Sequence, residues 1–151
     1  MISIIRTNSD NPDFKSLVAL LDEDLKIRDG EEHAFYSQFN SITKIKWALV
    51  AFMDNRPVGS GALREYATDT VEIKRMFVLP EYRGQGVARG MLDELQKWAG
   101  ELNFDSCILE TGKNQPEAIA LYLSTGFTPI PNYGQYLKVE NSVCMKKLIS
   151  K

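Results

Sequence analysis

Apolar residues recur along this chain in two rhythms, and the switches between them mark out its elements. "ISIIRT" reads as a short strand. Beyond the cap candidates Asn8, Ser9 and Asp10, the residues Phe14, Leu17, Val18, Leu21 and Leu25 fall at helical spacing. Gly30 breaks that spacing, and "EEHAFYSQFN" predicts a second, short helix with Phe35 and Phe39 on one side. "KWALVAFM" and "VGSGALREYA" read as strands joined by the hairpin signal "DNRP", and "TDT" turns the chain into a third strand, "VEIKRMFVLP". Along that strand Glu72 and Lys74 alternate with Val71 and Ile73, whereas apolar residues hold both parities from Met76 onward. The expectation is a strand exposed on one side at its start and buried on both near its end.

In the second half, Val87, Ala88, Met91, Leu92, Leu95, Ala99 and Leu102 mark an amphipathic helix of about four turns. "SCILETG" is a short buried strand, and "NQPEAIALYLSTGF" a helix with Pro116 near its first position and Gly126 at its stop. "FTPI" and "NSVCMKKLI" form a last strand pair around the loop "PNYGQYLKVE". Helices gather at the start and in the second half around a mixed sheet. The class is therefore α/β or α+β: a mostly antiparallel sheet of about six to seven strands flanked by about four helices.

Composition narrows the choice of function. With 151 residues, 44% of them hydrophobic, and no repeat or Pro/Gly/Ser-rich linker, residues 1–151 read as one domain with a single core. A net charge of −2 argues against a general binder of nucleic acid or anionic membrane. The chain has no run of 18 apolar residues, and "MISIIRTNSD" has no secretion-signal pattern. Cys107 and Cys144 each sit in an apolar, strand-like run, as small buried residues of a reducing cytoplasm do. One histidine and no paired Cys or His spacing argue against a metal site.

The candidate chemistry lies in "EIKRMFVLPEYRGQGVARG", where a strand runs into a turn holding Arg83, Gly84 and Gly86 and then into a helix. A helix start leaves backbone N–H groups unpaired and concentrates partial positive charge, so it suits an anion. Gly84 and Gly86 would let a phosphate reach those amides, with Arg83 and Arg89 adding charge; the plain alternative is a strand-to-helix turn with solvated arginines. A phosphate loop of the nucleoside triphosphatases needs Gly-Lys-Ser/Thr at its end, which is missing. A dinucleotide fingerprint needs G-x-G-x-x-G after the first strand of a parallel unit, but Gly90 comes one residue late and the strand is the third of a meander.

"VLPEYRGQGVARGMLDEL" resembles the central motif of the GCN5-related N-acetyltransferase superfamily, the acyl-CoA-dependent amine acetyltransferases. Arg83, Gly86 and Ala88 match its Arg/Gln-x-x-Gly-x-Gly/Ala pattern, and "NQPEAIALYLSTGF" fits in order and spacing, so the likeness runs from about Val58 to Phe127. The resemblance implies the superfamily's fold and an acetyl-CoA-dependent N-acetyltransferase. Arg83 and the amides of Gly84, Gln85, Gly86, Val87, Ala88 and Arg89 would then cradle the CoA pyrophosphate. Met76, Phe77 and Val78 would pair with the pantetheine like an added strand, in a slot opened by the splaying of "SCILETG". Asn114 would bond the pantetheine, or act as an N-cap with Glu117.

Transfer of an acetyl group to an amine needs three groups. An ammonium of reference pKa about 10.4 must lose its proton, the carbonyl needs a donor, and the departing thiolate benefits from an acid. The resemblance places Tyr122 as the acid and the Val78 amide as the donor; core packing is the alternative for Tyr122. Glu72 is the candidate base, sharing a face with Met76 about 13 Å along an unbulged strand. Its alternatives are a structural pair with Lys74 or Arg64, and Glu110 and His33 compete for the role.

The acceptor pocket would draw on "DGEEHAFYSQFN" and "PNYGQY", with Tyr36, Gln38, Asn40, Tyr133, Gln135 and Tyr136. Glu31, Glu32, Glu65 and Glu72 would favour a cationic acceptor, either a peptide amine or a small amine such as a polyamine. The rival readings are a non-catalytic acyl-CoA sensor and a dinucleotide-binding fold. Superfamily members are monomers or homodimers, and nothing in the sequence decides between them.

Overall fold

Asp54 and Asn55 take positive φ (51° and 61°), a conformation that Asp and Asn tolerate well. They close a tight hairpin between β2 (Trp47–Met53) and β3 (Arg56–Ala67). The turn is thus shorter than "DNRP", and β3 begins at Arg56. The computed structural model describes residues 1–29 and 44–149. The helix expected from "EEHAFYSQFN", with His33, lies outside these residues.

The remaining elements follow the expected order. They are β1 (Ile2–Thr7), α1 (Pro12–Asp29), β4 (Thr70–Val78), α2 (Val87–Glu101), β5 (Ser106–Gly112), α3 (Pro116–Ser124), β6 (Thr128–Ile130) and β7 (Ser142–Leu148). The N-cap of α1 is Asn11, not one of the three preceding candidates: its Oδ1 accepts from Asp13 N–H at 2.9 Å and Phe14 N–H at 3.1 Å. The sheet runs β1-β2-β3-β4-β5-β7-β6, antiparallel except for β4 beside β5. Between Val58 and Leu63, β3 is buried on both parities, so helices cover both of its faces. Gly59 and Gly61 let α2 approach, since a Cβ there would meet Met91 at 2.9 Å and Leu95 at 3.2 Å respectively. On the other side α1 contributes Phe14, Leu17, Val18 and Leu21 to the core.

Two features of β4 differ from expectation. The strand is buried from its start, and Glu72 is only 5% exposed, because β5 flanks it and Tyr133 reaches it from a distant loop. A β-bulge also interrupts the strand: Ala62 faces Lys74, but Ser60 faces Phe77. Arg75 absorbs the extra residue at φ 61°. The parity of Glu72 and Lys74 therefore continues at Phe77. Met76 instead points toward α2, where its Sδ would lie 2.9 Å from a Cβ on Gly61.

Candidate active site

β4 and β5 pair at Thr70–Ser106, Val71–Cys107 and Glu72–Ile108, and then diverge. β5 leaves to follow β7, while the end of β4 stays on β3. This is the expected splay, and it opens a cleft of about 480 Å3 toward α2 and α3. The Leu79 N–H donates to the Val58 carbonyl at 2.8 Å, which makes Gly59 and Val78 a non-hydrogen-bonded pair of the ladder. The N–H and C=O of Val78 therefore turn away from β3. Arg83 Nε takes the carbonyl at 2.8 Å, so the N–H is the group left for the cleft.

The turn at the cleft's far end has the predicted form. Gly84 and Gly86 take φ 76° and 88°, and a Cβ on either would meet no atom within 4 Å. Their missing side chains thus leave open space at the mouth of α2 rather than close packing. The first bond of the helix runs from Gly90 N–H to the Gly86 carbonyl at 3.0 Å, so the amides of Val87, Ala88 and Arg89 precede the ladder. Arg83 is the brace of this turn. Besides Val78 it holds Asp24 of α1 (Nη2 to Oδ2, 3.8 Å), and its guanidinium lies 5.6 Å from the Phe77 ring centroid. Arg89 donates to Ser124 Oγ at 3.2 Å, tying α2 to α3 across the cleft. The side chain of Gln85 turns back to the Glu81 carbonyl at 3.3 Å.

A second, smaller cavity of about 90 Å3 fills the splay between β4 and β5. Its lining includes Glu72, Lys74 and Arg75 of β4, Glu110 of β5, and Tyr136. Tyr122, Met76, Gln115 and Leu21 line both spaces, so the two cavities meet at these residues. Tyr122 is buried and packs edge-on against Phe127 at 5.8 Å. Burial, and secondarily the Glu110 carboxylate, raise its pKa, so the phenol keeps its proton.

The carboxylates of the small cavity are each held by a neutral donor. Tyr133 donates its hydroxyl proton to Glu72 Oε2 at 2.6 Å, a partner different from the expected Lys74 or Arg64. Burial first, then the Glu72 charge, pushes the Tyr133 pKa up and keeps it a donor. Ser142 Oγ donates to Glu110 Oε2 at 2.7 Å. The buried Arg75 reaches Asp22 of α1 at 3.1 Å. Lys74 has its pKa lowered, chiefly by burial and against the pull of Glu72.

Met76, Phe77, Val78, Arg83, Gly84, Gly86, Val87, Ala88, Arg89 and Tyr122 thus come together at one cleft, and Tyr122 and Glu72 at one small cavity. Asn114 does not line the cleft and is not the N-cap of α3. That cap is Gln115, which makes no side-chain capping bond and itself faces both cavities. Among the pocket candidates, Glu65 is exposed and away from the cavity, whereas Glu31, Glu32, Tyr36, Gln38 and Asn40 fall outside the described residues. Sequence reasoning missed Lys74 and Arg75 as lining groups, Gln115, and the Leu21 and Asp24 contribution of α1. The residue rhythm of β4 hides the bulge that places Arg75. The apolar spacing of α1 does signal a buried Leu21, but not that it borders a cleft.

A family model described as "Acetyltransferase (GNAT) family" matches residues 14–127. An "IAA acetyltransferase" of Azospirillum brasilense is 37% identical over 103 residues, covering 66% of this chain and 65% of that protein. The chain spans less than two thirds of the length of the curated relatives it matches. A candidate acyl-CoA N-acyltransferase of Klebsiella pneumoniae has a similar structure, with a TM-score of 0.83, 25% identity and 99% of both chains covered. The PaiA N-acetyltransferase of Thermoplasma acidophilum, in complex with coenzyme A, shares the fold at TM-score 0.72 and 20% identity, over 98% of this chain and 99% of that one.

Proposed function

The chain belongs to the GNAT family of acetyltransferases, and from that premise we propose that it transfers an acetyl group directly from acetyl-CoA to a primary amine. The observation that carries this reading is the meeting of the two cavities at Tyr122. One is an open cleft ending at bare helix amides, suited to a diphosphate. The other is a small, charged space suited to a polar acceptor.

In this reading the amides from Gly84 to Arg89 hold the pyrophosphate, with Arg83 shaping the turn. The pantetheine lies along Met76 to Val78, with Gln115 near the far side of the slot. The amine nitrogen attacks the thioester carbonyl carbon, a C–N bond forms, and negative charge gathers on the carbonyl oxygen. The Val78 N–H is the donor for that oxygen. As the C–S bond breaks, Tyr122 gives its proton to the thiolate. Glu72 takes the proton from the amine, through a water given its distance along the strand. Glu110 is the other carboxylate able to do so.

The test is thiol release from acetyl-CoA against amino acids, polyamines, aminoglycosides and lysine peptides, with calorimetry of acetyl-CoA alone. Tight binding and amine-dependent release are expected. Binding without release for any amine would leave a cofactor-sensing module, and no binding would remove both readings.

A further inference from the structure

The small cavity carries more charge than an amine alone requires. Its described lining pairs two carboxylates, Glu72 and Glu110, with two cations, Lys74 and Arg75. The carboxylates have Tyr133 and Ser142 as donors, and Arg75 has Asp22. Lys74 is different: among the described residues it forms no ion pair. It is partly buried, and desolvation outweighs the attraction of Glu72 and Glu110, with Arg75 and Arg64 repelling it. A cation withdrawn from water without a direct ion pair costs stability, and an anion brought to it by a ligand would offset that cost. A polyamine would meet this ammonium with repulsion. A molecule with one charge of each sign would be complementary to the whole lining.

Building on the acetyl-transfer reading, we propose that the acceptor is a small amine bearing its own carboxylate, an amino-acid-like zwitterion whose carboxylate is held by Lys74 while its amine lies against Glu72 or Glu110. The bulge is what makes this arrangement possible. Without Arg75 as the extra residue, the parity of Lys74 would run on to Met76, and the cleft-facing end of β4 would be out of step with its cavity-facing start.

The experiment uses thiol release with matched acceptors: a set of α-amino acids, the same molecules as carboxamides, and the same molecules lacking the carboxyl group. Amino acids should have KM values about tenfold or more below those of their neutral counterparts. Lys74→Met should erase that difference by raising KM for the acids far more than for the amides, and Lys74→Arg should restore part of it. Release with amides and decarboxylated amines at least as efficient as with acids would overturn the carboxylate assignment and leave acetyl transfer standing. So would a Lys74→Met effect equal on acids and amides. No release with any acceptor would overturn both.

Discussion

Tyr133 and Glu72, 61 residues apart in sequence, share a 2.6 Å hydrogen bond that pins the loop before β7 onto the start of β4. The bond does two jobs. It satisfies one oxygen of a carboxylate that is 5% exposed, and it fixes in place a side chain that lines the small cavity. Around it, Tyr66 and Tyr136 pack edge-on against Tyr133, with ring centroids at 5.2 and 5.8 Å, so the phenol has little freedom to leave.

Tyr133→Phe should therefore reduce kcat/KM by about tenfold or more while keeping the fold, because a buried acceptor that loses its donor costs about 1–3 kcal/mol. Glu72→Gln should be more severe if that carboxylate takes the amine's proton. The pair should be coupled: Tyr133→Phe in the Glu72→Gln background should add less than it does alone. Steady-state kinetics on the four proteins checks this. Full additivity would mean that the bond does not serve the reaction.

For Tyr122 the sign of the pKa shift matters. Burial disfavours the phenolate, so the proton needed by the leaving thiolate stays in place well above the ordinary tyrosine range. Tyr122→Phe should lower kcat by about 10²–10⁴ and leave acetyl-CoA affinity within about twofold. The wild-type rate should show no alkaline decline from this group at pH 10. Such a decline, shown by the wild type and absent in Tyr122→Phe, would contradict the assignment.

Gly86 sits at φ 88° with open space where a side chain would be. Gly86→Ala should weaken acetyl-CoA binding by about tenfold, from strain in the turn and from a methyl group at the anion's place. The strain alone would cost about 1–2 kcal/mol of stability. Calorimetry and thermal melts together separate the two effects. A lower melting temperature with unchanged affinity would put the anion elsewhere.

The parts legible in sequence are those governed by local rules. Pro116 and Gly126 bracket α3 as expected, with Gly126 at φ 99° and Phe127 N–H returning to the Tyr122 carbonyl at 3.0 Å. The glycines of the turn at Gly84 and Gly86 announce positive φ because few other residues take it. The contacts that build the small cavity obey no such rule. Nothing near Glu72 in the chain points to Tyr133, and an arginine at φ 61° is held there by partners on β3 and α1, not by its own propensity. Residue alternation fails at the bulge for the same reason: it assumes a constant register, and Arg75 breaks it.

Cys107 and Cys144 give a prediction about stability. Burial pushes their thiols up from an ordinary 9.0 to about 12 and about 11 respectively. The folded values lie above the unfolded ones, so the native state keeps protons that the unfolded chain releases. Their contribution is complete below about pH 9 and is lost as pH rises through the folded values. The melting temperature should fall by about 5 °C or more between pH 9 and 11, with the buried tyrosines acting in the same direction. A disulfide reagent at pH 8 should label neither thiol until the protein unfolds.

Ser60 anchors the bulge on which the site's geometry turns. Its buried hydroxyl donates to the Arg75 carbonyl at 2.8 Å, holding the extra residue against β3 at the point where the register slips. Ser60→Ala removes that donor at little change in volume and leaves a buried carbonyl short of a partner. Stability should drop by about 1–2 kcal/mol in denaturant titration. The functional effect should be larger on kcat than on acetyl-CoA affinity, because the glycine turn and the amides of α2 lie beyond the slip, whereas Glu72 and Lys74 lie before it. A loosened bulge misaligns the two ends of β4 relative to each other without moving the anion site. If Ser60→Ala lowers stability by that amount and kcat stays at the wild-type value, the bulge is a packing feature only, and the link between β4 register and the reaction is wrong.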